Sequence, residues 1–184
     1  KKKVKSSRNK VLRNLWFLDD AEKEYNAMEV ELGAGFKPGD IFWALANRQR
    51  LELELNPSKN AKEISQISFT MARHLLDEGK SKAHVQQLQA ESAYWDLVHH
   101  QIQFASMKLG ANAVVKTDTC CDGCSKLEGE EYDLDELVAN CLADRAEGRP
   151  ETSSCPLPQA RCELQWCTCH FTVKSDSAKK SRVL

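Results

Sequence analysis

Eight cysteines, Cys120, Cys121, Cys124, Cys141, Cys155, Cys162, Cys167 and Cys169, fall within one stretch of fifty residues, and the first 119 residues contain none. A disulfide scaffold usually spreads its bridges over a whole small fold and follows an export signal. The opening run, Lys1 to Lys10, is basic and leads into no apolar core of signal-peptide type. Reduced thiols crowded on a short segment point instead to a soft metal ion and to a cytoplasmic compartment.

Cys121-Asp122-Gly123-Cys124 is a C-x-x-C knuckle. Two intervening residues let a tight turn aim both sulfurs at one point, and Gly123 permits a positive φ there. Backbone N–H groups of such a turn can donate to the sulfurs and help to keep them ionised. A tetrahedral zinc site needs a second pair of ligands from a separate piece of chain. Cys162, Cys167 and Cys169 are the candidates, with Cys155 in reserve. In a strand, Cys167 and Cys169 point to the same side, while a turn could equally unite Cys162 with Cys167. The expected ligand set is therefore Cys121 and Cys124 with two of Cys162, Cys167 and Cys169, and the expected ion is Zn2+. An iron–sulfur cluster is the less common use of this arrangement.

Other chemistry-bearing residues receive plainer readings. Cys120 is expected to point away from the knuckle, and Cys141 to be a small buried hydrophobe in a helix. His170 should face away from a site holding its neighbour Cys169. His99 and His100 lie on adjacent helix faces, and His74 and His84 are isolated, so all four read as surface or partly packed residues. The acids at Glu128, Glu130, Glu131, Asp133, Asp135 and Glu136 read as a solvated turn leading into a helix N-terminus. A thioredoxin-like pair would continue helically, whereas this knuckle turns at Gly129. No nucleophile–base pair, phosphate loop or open metal site supports an enzyme.

The elements that must position the knuckle are mostly helical. The fold class is mainly α: a helical N-terminal body with a long helix, followed by a small α+β zinc-binding module. Helices are expected over 11–32, ending at Gly33 and Gly35, and over 41–55, with Asp40 as N-cap. A third follows Asn60, whose capping box pairs with Glu63. The fourth, Ser81 to Leu109, places Val85, Leu88, Ser92, Trp95, Val98, Ile102, Ala105 and Leu109 on a narrow seam that only Ser92 interrupts. Its simplest partner is an antiparallel hairpin with residues 60–78, and self-association is the other. A short strand is expected over 113–117, a helix over 134–146, loop over 148–160 and a closing strand over 167–173. The chain thus divides into a basic flexible arm (1–10), a helical domain (11–110), a cysteine-rich zinc module (111–173) and a disordered tail (174–184).

Composition excludes little else. At 184 residues, with 41% hydrophobic content and a net charge of −1, the chain suits one ordinary domain plus a small module. No apolar run approaches a membrane span. Lys1, Lys2, Lys3, Lys5, Arg8 and Lys10 form the densest basic patch, but no aromatic residues are interleaved to stack bases.

The string Cys121-x-x-Cys124-x-x-Leu127-x-Gly129-x-x-Tyr132-x-Leu134, closing with Cys167-x-Cys169, resembles the C-terminal cysteine module of phage head-morphogenesis proteins of the Mu gpF type. Pro156-Leu157-Pro158 stands where that family has a Pro-rich loop, and the helix and strand over 81–117 follow its order of elements. Thr168 stands in place of an arginine, and Cys162 is the candidate substitute for a histidine. No Ala-Arg-Thr-Glu-like string precedes the strand. The resemblance covers about a third of the chain. It implies a non-enzymatic assembly protein with a structural zinc site and with capsid or portal proteins as partners. The alternative is a nucleic-acid-binding zinc protein using the basic arm, whose binding would fall steeply with salt.

Overall fold

In a computed structural model of the protein, residues 2–118, 121–146, 157 and 162–180 are described, with side chains at 7–118, 121–144, 157 and 162–176. The fold is mainly helical, with a small three-stranded antiparallel sheet near the C-terminus. The chain divides into two compact units, Lys1–Pro57 and Ser58–Leu184. The division therefore falls at residue 57, inside the stretch 11–110 expected to form one helical domain.

The first unit holds three helices: α1 (Lys2–Asn14), α2 (Ala21–Leu32) and α3 (Pro38–Glu54). Helix is thus present where a flexible arm was expected over 1–10. The expected helix over 11–32 is two helices, because Asp20 caps a new start by accepting from the Lys23 N–H at 3.0 Å. Gly33, at φ +84°, ends α2 as anticipated. Helix α3 begins at Pro38 rather than after Asp40, since proline suits the first helical position. Asp40 instead accepts from the Lys37 N–H at 2.7 Å. Val11, Leu15, Tyr25, Met28, Ile41, Phe42 and Leu45 form this unit's core. Arg8, counted in the basic patch, stacks over Tyr25 at 5.0 Å and bonds Asn26 at 2.6 Å. That guanidinium is engaged within the unit rather than presented on an arm.

The second unit opens with α4 (Pro57–Asp77) and α5 (Lys82–Ser106). Pro57 again occupies a first-turn position, so Asn60 lies inside α4 and not at its cap. Gly79, at φ +67°, turns the chain between them. The two helices meet where the Ser65 hydroxyl donates to the Ser92 carbonyl at 2.8 Å and lies 3.2 Å from the Ser92 hydroxyl. Both serines are buried, and both sit about equally far from the turn, as an antiparallel hairpin requires. Helix α5 is buried beyond its predicted seam: Gln89, Tyr94 and Leu97 are covered as well as Val85, Ser92 and Trp95. Its last turns are looser, with Ile102 and Ala105 half-buried, and Leu109, the last residue of the predicted seam, lies beyond the helix and is exposed.

Strand β1 (Leu109–Lys116) starts earlier than composition suggested, with Lys108 in the left-handed region as the link from α5. Strand β2 (Glu131–Asp133) was read as part of an acidic turn, and β3 (His170–Lys180) extends into the segment expected to be disordered after 173. The sheet order is β2-β1-β3, all antiparallel. Helix α7 (Leu134–Ala146) starts at a cap in which Asp133 accepts from the Glu136 N–H at 3.0 Å. Helices α5 and α7 both pack on β1 and on each other. Ala111, Ala113 and Val115, two residues apart on β1 and all buried, supply one face of that core. Most of the predicted loop over 148–160 lies outside the described residues, as do Cys120 and Cys155.

Candidate metal centre

The register of the sheet brings the two cysteine-bearing pieces of chain together. Lys116 pairs with His170 at the end of the β1–β3 ladder. Beyond that pair the chain runs on from Lys116 toward Cys121, and on the other strand it arrives from Cys167 and Cys169. Antiparallel pairing therefore delivers both pieces to the same end of the sheet.

The knuckle is a single helical turn, α6 (Asp122–Ser125), with Cys121 as its N-cap residue. The Ser125 N–H donates to the Cys121 carbonyl and the Leu127 N–H to the Cys124 carbonyl, each at 3.0 Å. Gly123 sits in this helical turn, and the positive φ belongs to Gly129, at +78°. Gly129 reverses the chain so that its N–H donates to the Val115 carbonyl at 3.0 Å, while the Val115 N–H donates to the Glu130 carbonyl at 2.9 Å. Glu128 fastens the same turn to the end of β1. Its carboxylate accepts from the Thr117 hydroxyl at 2.6 Å and from the Thr117 N–H, and Lys116 lies 3.4 Å away.

The second piece is docked on the α4–α5 hairpin. The Gln89 side chain donates to the Cys167 carbonyl at 2.8 Å and accepts from the Cys167 N–H at 3.1 Å. Gln86 donates to the carbonyls of Cys162 and Leu164, and Lys82 to that of Cys162. Gln165 reaches the Lys80 carbonyl at 3.1 Å, and Trp166 meets Phe69 of α4 edge-on, with ring centroids 5.1 Å apart. These anchors hold a segment with no regular structure of its own. Cys167 and Cys169 precede β3 rather than lying in it, so their convergence comes from the docked loop and not from strand alternation.

The result is a cluster of Cys121, Cys124, Cys162 and Cys167, all buried, with Cys169 half-buried against it. All five residues predicted as candidate ligands are in it. Their sulfurs fall into two sets of three, Cys121–Cys124–Cys162 and Cys124–Cys167–Cys169, each within 4.8 Å of one another. This cluster could hold a metal ion. Buried thiolates without a cation would repel one another, while backbone N–H donors favour the ionised form. Cys121 is drawn down to about 7, chiefly because the Cys124 N–H donates to its sulfur, with the Glu163 N–H assisting. Burial pushes Cys124 and Cys167 up, and the neighbouring sulfurs push Cys124 further.

Of the other residues considered, those described lie outside these sulfur sets. Cys141 is buried on α7 as a small hydrophobe. His170 is exposed. His84 contacts Ser81 at 2.9 Å. His74 departs from expectation, since it is buried and lies 3.3 Å from Glu78. No sequence motif points to Gln86 or Gln89, and Glu128, read as one acid of a solvated turn, fastens that turn to the end of β1. Gln89 carried a signal, being polar and one residue from the seam position Leu88. Among the described residues no helix is long and apolar enough to cross a membrane. No protein-family model matches the chain, and comparisons with curated proteins and with solved structures found no similar chain.

Proposed function

We propose that the cysteine cluster holds zinc as a structural centre, and that the chain is a non-enzymatic assembly protein whose C-terminal module this centre clamps. The observation that carries the reading is the convergence of buried sulfurs from two pieces of chain, 121–124 and 162–169, just beyond the end of the β1–β3 ladder. Soft thiolate donors without histidine favour zinc over harder cations. The fit is good: the Cys124 N–H of the knuckle and the Glu163 N–H of the loop donate to the Cys121 sulfur, and α5 fixes the second segment through its backbone. Zinc bound there would hold the loop and the knuckle together as a cross-link. Cys124 and Cys162 have no exposed surface, which suits a closed site rather than one that admits substrate.

The assembly role, with phage capsid or portal proteins as partners, rests on the resemblance of the 121–134 and 167–169 strings to Mu gpF-type head proteins. The reading is tested by treating the full-length reduced protein with a strong zinc chelator and following circular dichroism. Loss of structure that zinc restores and magnesium does not is the expected result. Unchanged spectra and unchanged thermal stability after complete chelation would overturn it.

A further inference from the structure

Building on the zinc reading, we propose that the five sulfurs bind two zinc ions, with the Cys124 sulfur shared between them. A tetrahedral zinc with bonds of about 2.3 Å sets its sulfurs about 3.8 Å apart, so one closed centre requires four sulfurs that are all mutually close. Among the described residues the sulfurs form two sets of three within the looser limit of 4.8 Å, and no set of four meets it. Cys124 is the one member of both sets, and it is fully buried at the middle of the cluster. A thiolate sulfur has lone pairs enough to bind two ions.

Different side chains hold the members of the two sets. Cys121 and Cys124 are fixed by the knuckle turn, and Cys162 by Lys82 and Gln86 acting on its carbonyl. Cys167 is fixed by Gln89. Charge favours two ions as well. Five thiolates around one divalent ion leave about −3 in a buried cluster, whereas two ions leave about −1, and uncompensated buried charge is strongly unfavourable. Each thiol releases its proton to solvent on binding. A water molecule completes the fourth position on each ion, and with Cys124 and Cys162 fully buried the centre stays structural and closed to substrate.

The test is native mass spectrometry of the full-length reduced protein loaded with zinc, with NMR of the same protein loaded with the spin-active cadmium isotope. Two ions per chain and two cadmium signals that split each other through the shared sulfur are expected. One ion per chain overturns the proposal and leaves the zinc reading standing, and no bound ion overturns both. Two ions whose signals show no mutual splitting overturn the shared sulfur. Cys169→Ser should lower the content to one ion and keep the signal of the Cys121–Cys124–Cys162 set. Retention of both ions, or loss of both in a variant that stays folded, contradicts the arrangement.

Discussion

The side chain of Gln89 bonds both the N–H and the carbonyl of Cys167, at 3.1 and 2.8 Å, from the buried face of α5. A single helix residue thereby holds both backbone groups of a ligand in the loop that carries three of the five candidate ligands, Cys162, Cys167 and Cys169. Gln89→Leu removes both partners from buried backbone groups, which costs about 1–3 kcal/mol for each group left unpaired. The expected outcome is a lower melting temperature and zinc affinity weaker by about 10–100-fold, the usual effect of losing a group that orients a ligand. Chelator competition and thermal unfolding check both, and Gln89→Glu, which keeps only the acceptor role, should fall between.

Ser92 is the one residue that breaks the apolar seam of α5, and the structure gives it a reason. Its carbonyl and hydroxyl meet Ser65 of α4 at 2.8 and 3.2 Å. Ser92→Leu would complete the seam as a pattern yet place a large side chain at this close crossing. Overpacking of this kind costs about 1–3 kcal/mol. Denaturant unfolding should show a lower midpoint for Ser92→Leu and a smaller loss for Ser92→Ala.

The Thr117 hydroxyl and N–H hold the Glu128 carboxyl below its ordinary value, with Lys116 adding to the effect. A depressed folded-state value means that the contribution to stability is fully present above the unfolded value of about 4.3 and is lost as pH falls through the folded value. NMR titration should place Glu128 below its ordinary range. Glu128→Gln should lower stability by a constant amount at neutral and alkaline pH and flatten the acid limb of the stability curve.

Zinc binding should release protons in a pH-dependent number. Cys124 and Cys167 are pushed up and still carry protons at pH 8, so affinity rises with pH throughout the neutral range. Cys121, at about 7, is mostly protonated at pH 6 and mostly ionised at pH 8. Calorimetry in buffers of different ionisation enthalpy should therefore count about one proton fewer per chain at pH 8 than at pH 6.

Much of this architecture was legible in the residues. The C-x-x-C spacing, the turn at Gly129 and the long amphipathic helix are local signals, written within a few residues of where they act. The candidate ligands Cys121, Cys124, Cys162, Cys167 and Cys169 were chosen on spacing and meet in space. The sequence did not disclose how they meet. Gln86 and Gln89 act on backbone more than seventy residues away, a pairing that no periodicity encodes. Strand β3 was read as a polar tail from residue 174 because its composition is polar, and pairing along β1 overrides that preference. The division at residue 57 was hidden for a related reason: helical periodicity reports which face of a helix is covered, not which neighbour covers it.

The most direct test of the central claim is the metal content of the purified, reduced, full-length protein, measured by elemental and native mass spectrometry together with a count of titratable thiols. The account predicts bound zinc, with the cluster thiols unreactive until a chelator is added. Metal-free protein whose cysteines are paired in disulfides would contradict it, and the C-terminal module would then be an oxidised scaffold instead.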